Sequence, residues 1–176
     1  MKKIINNKNG FSLLELLVSM SIFFLLLVMV APSYTAWLAS LKVKNVAESI
    51  NLGLLQARSE AIRRNEFVYF SLNEDTSWSI VIAETGNVIN KKAPNEGNDT
   101  TQIVYDPENS NTVTFDGLGY LVSNVDGSPL IENIDISSSI DIEAIKSFRV
   151  RIDGGTNFIC DPSITDDEHF SYCKEY

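Results

Sequence analysis

Histidine and cysteine are scarce in this chain. His169 is the one histidine, and Cys160 and Cys173 are the two cysteines in 176 residues. His169 stands near Asp166, Asp167 and Glu168, but no other residue gives zinc spacing and the aspartates follow no calcium-loop pattern. No metal or other cofactor is expected. Basic residues are also few, 14 against 23 acidic ones, for a net charge of −9. So acidic a chain argues against broad electrostatic binding of nucleic acid. There is no glycine-rich phosphate loop, no nucleophile with its base, no carboxylate pair in a shaped context, no repeat and no low-complexity tract. An enzyme is not expected. The last absence is local: from Leu16 to Leu41 there is no charged residue.

That uncharged run is long enough for a helix to cross a hydrocarbon core at 1.5 Å per residue. Lys2, Lys3 and Lys8 precede it, so the positive-inside rule keeps the N-terminus in the cytoplasm and sends the rest across. The residues after the apolar core, Ala31-Pro32-Ser33-Tyr34-Thr35-Ala36-Trp37, match a secretory cleavage site poorly, so the segment is expected to be retained. Glu15 stands out. A carboxylate near the start of a membrane helix costs roughly 2 to 4 kcal/mol and calls for a partner, such as an amine freed by cleavage on a neighbouring copy.

Gly10, Phe11 and Glu15, followed by the apolar run and Pro32, resemble the class III signal of type IV pilins and type II secretion pseudopilins. The resemblance implies that a prepilin peptidase removes residues 1–10, cutting between Gly10 and Phe11, and methylates the new N-terminal phenylalanine. Glu15 then becomes the fifth residue of the mature chain and pairs with the Phe11 amine of a neighbouring subunit, which sets assembly register. Loss of the leader and its three lysines would take the net charge from −9 to −12.

Residues 11–41 are expected to form the membrane and fibre-core helix, kinked at Pro32. The head is expected to span 42–176. Val46, Ile50, Leu54, Ala57 and Ala61 recur at three- or four-residue spacing, so the helix should continue to about Asn65 with an apolar stripe. Arg58, Arg63 and Arg64 near its end suit the helix dipole. Strand-like runs follow. Glu66–Leu72 and Trp78–Ala83 read as a hairpin, and Gly86–Thr101 reads as a loop. Gln102–Tyr105, Thr112–Asp116, Tyr120–Ser123, Ser147–Asp153 and Phe158–Cys160 read as further strands, whereas Asn124–Ser139 shows no placeable strand. The expected class is α+β, a long N-terminal helix packed on a mostly antiparallel β head. Both cysteines fall in the part expected to be exported, where an oxidising compartment favours pairing over two buried thiols.

The helix end Leu54–Asn65, then Thr114–Gly119, Arg149–Asp153 and Cys160-Asp161-Pro162 resemble the GspH/FimT family of minor pilins and pseudopilins, most of all its FimU-type branch. The resemblance implies a subunit of a type IV pilus that helps start assembly with other minor pilins and the major pilin, serving twitching motility, adhesion or DNA uptake. It also implies residence in the bacterial inner membrane, head in the periplasm, and then in the pilus at the cell surface. Two alternatives stay open: a type II secretion minor pseudopilin, and a FimT-like DNA-binding pilin. For the last, Arg149 and Arg151 are the candidate phosphate contacts. The turn after them, Gly155-Thr156-Asn157-Phe158, lacks the arginines such a member would show, so a nucleic-acid partner is not expected.

Overall fold

A computed structural model describes residues 11–94, 100–108, 110–124, 126–140, 144–154, 156–169 and 171–173, with the side chains of 29–32 outside that description. One helix, α1 (Leu13–Arg64), precedes nine strands: β1 (Val68–Leu72), β2 (Trp78–Ile82), β3 (Val88–Lys92), β4 (Thr101–Asp106), β5 (Thr112–Phe115), β6 (Leu121–Val122), β7 (Asn133–Ser138), β8 (Phe148–Asp153) and β9 (Thr156–Cys160). The chain divides into two units, Met1–Thr35 and Ala36–Tyr176. The second takes in α1 from Ala36, somewhat before Lys42.

In the first unit the described side chains are exposed and mostly apolar. The helix is long and apolar enough to cross a membrane. Ser19 and Ser21 do not interrupt that character, because Ser19 Oγ donates to the Glu15 carbonyl and Ser21 Oγ to the Leu17 carbonyl. Such bonds spare a lipid-facing helix an unsatisfied polar group.

In the second unit α1 buries Val43, Val46, Ala47, Ile50, Leu54, Ala57 and Ala61, the stripe expected from the spacing. Two sheets receive it. The first has the order β3-β2-β1-β5-β6 and the second β4-β7-β8-β9, with every ladder antiparallel. Phe70, Ile80, Val113 and Phe115 of the first sheet meet Ile134, Ile136 and Val150 of the second in one core with the helix. Polar bonds flank the stripe on both sides. Trp78 Nε1 donates to Ser49 Oγ (3.1 Å) and Asn90 Nδ2 to Gln56 Oε1 (2.9 Å), tying the first sheet. Asn157 Nδ2 of β9 donates to the Asn51 carbonyl (3.0 Å), tying the second, and the Lys146 amide in the connection before β8 donates to Ser40 Oγ (3.1 Å).

The helix stops at an asparagine. Asn65 has φ 54°, its amide donates to the Ile62 carbonyl, and the Glu66 amide reaches the Ala61 carbonyl. That pair of bonds is the Schellman stop, in which asparagine tolerates the left-handed conformation. The expected hairpin is present, with Leu72 opposite Trp78 across the turn. Gly86–Thr101 is corrected: it contains β3, an exposed strand on the outer edge of β2. Asn124–Ser139 contains β7, and its first part folds over the outer face of β5. There Asn124 is buried, accepts from Thr114 Oγ1 (3.1 Å), and donates to the carbonyls of Thr112 (2.8 Å) and Pro129 (2.9 Å). Thr112 and Thr114 are buried for that reason although they face away from the core residues Val113 and Phe115.

Candidate assembly elements

Phe11 stands just ahead of α1 and is 80% exposed. The amide of Leu16 donates to the Ser12 carbonyl, which makes Ser12 the N-cap and Glu15 an acid of the first turn. A carboxylate there suits the positive end of the helix dipole. Ser12 and Glu15 also have the spacing of a capping box, a signal the sequence reading missed. Gly10 lies outside the described residues. α1 passes through Pro32 as one element.

The arginines of the second unit are engaged. Arg149 and Asp135 face each other across β8 and β7, with Nε to Oδ1 at 2.7 Å and Nη2 to Oδ2 at 2.9 Å. A bidentate pair of this kind neutralises the guanidinium and fixes its plane. Arg151 stands opposite Phe158 on β9. It lines a small surface cavity with Glu132, Asn133 and Asp153, so two carboxylates accompany its charge. The structure therefore does not bring Arg149 and Arg151 together as an open basic patch.

At the helix end Glu60 accepts from both Arg63 and Arg64. Those two bonds, Arg63 first, hold its carboxyl below the usual range. A depressed folded-state value means this contribution is present above the ordinary carboxylate value and fades as pH falls through the folded one. Arg58 lies inward, against the turn between β5 and β6. Gly119 of that turn has φ 83°, and a Cβ there would come within 2.7 Å of Ile62 and 3.1 Å of Arg58 Nε. Only glycine combines that conformation with that closeness. The turn itself is set by Asp116, whose Oδ1 accepts from the amides of Leu118 and Tyr120. His169 is exposed, and its Nδ1 accepts the Ser171 amide.

Cys160 and Cys173 form the disulfide. It ends β9 and closes a loop organised by Asp161, which is buried and accepts from the amide and hydroxyl of Ser163. The Asp161 amide donates to the Ser171 carbonyl, and Lys146 Nζ lies 3.7 Å from its carboxylate. The Cys-Asp-Pro stretch thus ties the end of the chain to β9 and to the connection before β8. Breaking a loop of 13 residues removes about 3 kcal/mol in the chain-entropy model. Cys160→Ser with Cys173→Ser should lower the thermal midpoint by several degrees, and calorimetry in oxidising buffer reads it; an unchanged midpoint would show that the loop closes without the bond.

Tyr105 adds a half-buried anchor, its hydroxyl donating to the Leu72 carbonyl (3.2 Å) between the two sheets. Burial, followed by the charges of Glu74 and Asp75, pushes its phenol up to about 12. A raised value leaves this bond intact below the ordinary tyrosine range and loses it only as pH climbs through the folded value.

Residues 46–156 match the family described as type II transport protein GspH. Residues 5–31 match the prokaryotic N-terminal methylation motif. No curated protein matches the chain. Among solved structures, the type IV minor pilin FimU of Pseudomonas aeruginosa is similar in two crystal forms. The first is 17% identical, covers 66% of this chain and 87% of that one, and has a TM-score of 0.50. The second is 17% identical, covers 66% and 90%, and has a TM-score of 0.48. The first likeness speaks for the fold: one long helix packed on antiparallel sheets.

Proposed function

Since this chain belongs to the GspH family and carries the N-terminal methylation motif on the same polypeptide, we propose that it is a minor pilin that helps initiate a type IV pilus. In this reading a prepilin peptidase cuts between Gly10 and Phe11 and methylates Phe11. The chain waits in the inner membrane with its N-terminus cytoplasmic and its head periplasmic. It then enters the fibre beside other minor pilins and the major pilin. Phe11 to Ala31 supplies helix packing, Glu15 supplies register, Pro32 bends the helix, and the head recognises its neighbours.

The observation that carries the reading is the joining of the two matched segments through one uninterrupted helix, α1. The methylation motif ends at residue 31 and the family match begins at residue 46, both within α1. A head built around the second half of an assembly helix works by being carried into an assembly. The family is one of structural pilins, and the chemistry above needs no catalytic group from this chain.

The second reading, a type II secretion minor pseudopilin, is favoured by the description of the matched family itself. The closed Cys160–Cys173 loop and its Cys-Asp-Pro start support the pilus instead. Capture of the tagged full-length chain from crosslinked envelopes of its own cell, with bound proteins identified by mass, tests both. Other minor pilins are the expected catch. Secretion pseudopilins would establish the second reading, and nucleic acid alone would overturn both. Because Arg149 is held by Asp135, DNA is not expected in that catch.

A further inference from the structure

An open cleft of about 390 Å³ lies on the outer face of the first sheet, lined by Tyr69, Ser71, Ala83, Asn111, Thr112 and Asp126. Strand alternation makes its floor. Val68, Phe70 and Leu72 of β1 belong to the core, so Tyr69 and Ser71 face outward. Thr112 of β5 stands opposite Ser71, with Asn111 just before it. The segment that folds over β5 from Asn124 onward supplies Asp126 as the remaining wall.

The polar groups of this cleft are positioned without being used up. Asp126 Oδ1 accepts from the amide (2.9 Å) and the hydroxyl (2.7 Å) of Ser128, which leaves Oδ2 open. Those bonds, the hydroxyl's first, hold the carboxyl below its usual range, so it is ionised at neutral pH. Thr112 Oγ1 donates to Asn111 Oδ1 (3.1 Å), which orients the amide and leaves Nδ2 open. Among the described residues, neither the Tyr69 hydroxyl nor the Ser71 hydroxyl has a partner within the protein.

The lining decides the class of ligand. It holds no cation, so nothing in it answers a phosphate or another anion. One carboxylate and one aromatic ring are too few for a metal ion or for an aromatic cage around a quaternary amine. The methyl group of Ala83 is too little apolar surface for a lipid chain. What remains is a ligand with several hydroxyls and one apolar face. A pyranose has both: the C–H groups of one face lie on an aromatic ring, while its hydroxyls donate to a carboxylate and accept from an amide nitrogen. The volume also suits it, since small-molecule sites occupy about 300 to 1,000 Å³.

We infer that this cleft is a binding site for a pyranose sugar, with the Tyr69 ring against the sugar face and Asp126 Oδ2, Asn111 Nδ2 and Ser71 Oγ meeting its hydroxyls. The site lies wholly within the head and does not depend on the pilin reading. A cell-wall glycan and a glycan outside the cell present the same ring chemistry, and the choice of probes separates them.

The test uses the full chain in lipid nanodiscs, with Cys160–Cys173 kept oxidised, and saturation-transfer NMR against empty nanodiscs. The probes are methyl β-D-galactopyranoside, methyl α-D-mannopyranoside and an N-acetylglucosamine trimer. At least one should give a saturable signal; preference for the trimer assigns the cell-wall source, and preference for a methyl hexoside the external one. Asp126→Asn, which keeps Oδ1 for Ser128, should weaken binding about tenfold, as for loss of one hydrogen bond to a charged group. Tyr69→Phe keeps the ring and should weaken it only about fivefold, whereas Tyr69→Ala should abolish the signal. Silence of all the probes up to their solubility would overturn the inference, as would binding indifferent to both Asp126→Asn and Tyr69→Ala. Tighter binding of tetramethylammonium than of any sugar would overturn the sugar assignment.

Discussion

A chain carrying Glu15→Ala should be processed and inserted in the membrane, yet its recovery in sheared fibres should fall by roughly two orders of magnitude. The proposed cut between Gly10 and Phe11 lies upstream of Glu15, and replacing a carboxylate by a methyl group makes the helix easier, not harder, to place in lipid. The loss comes later. In the proposed fibre, the Phe11 amine of one subunit would sit in apolar surroundings between packed helices, and leaving such a charge without its partner costs about 3 to 5 kcal/mol. Glu15→Gln should fail similarly, because an amide can bond to the amine but cannot neutralise it. Immunoblots of membrane and sheared-fibre fractions separate the two stages. Full incorporation of Glu15→Ala would remove the register role from this residue.

Phe70→Ala should destabilise the head by about 3 to 5 kcal/mol, the usual range for a buried phenylalanine truncated to alanine. Phe70 is completely buried and lies 5.7 Å, centroid to centroid, from Trp78. Its ring fits over Gly53 of α1, where an added Cβ would stand 2.6 Å from Cε2. Gly53 is a poor helix residue by about 1 kcal/mol relative to alanine. Gly53→Ala should nonetheless destabilise, because overpacking costs about 1 to 3 kcal/mol when the obstacle is a locked ring. The two changes should not add: with Phe70 already truncated, Gly53→Ala should turn neutral or stabilising. Urea titrations of the four proteins give the coupling, and simple additivity would mean that the ring moves aside.

Much of this could be read from residue order alone. The stripe of α1 is a local pattern, and the signal around Gly10, Phe11 and Glu15 combines residue types at fixed offsets, so both were visible without a fold. The hairpin of β1 and β2 was visible because two alternating runs flank Asn73–Ser77. β3 was missed for a physical reason. Val88-Ile89-Asn90-Lys91-Lys92 is largely polar and exposed, and pairing with β2 makes it a strand. β7 was missed because Ile134 and Ile136 are only two apolar positions, whose meaning depends on β4 and β8 beside them. The same limit hid the candidate site. Arg149 reads as a free cation until the register places Asp135 opposite, and Gly53 reads as a helix flaw until Phe70 arrives from another element.

The four polar bonds between α1 and the sheets have a mechanical meaning. Asn51 engages one sheet and Ser40 the connection that leads into it, while Ser49 and Gln56 engage the other, at four heights along the same helix. The notch at Gly53 stops the shaft from turning beneath them, since a shift of one residue rotates a helix by about 100°. A tug along α1, such as a retracting or dragged filament would apply, therefore loads these bonds together in shear instead of peeling them one by one.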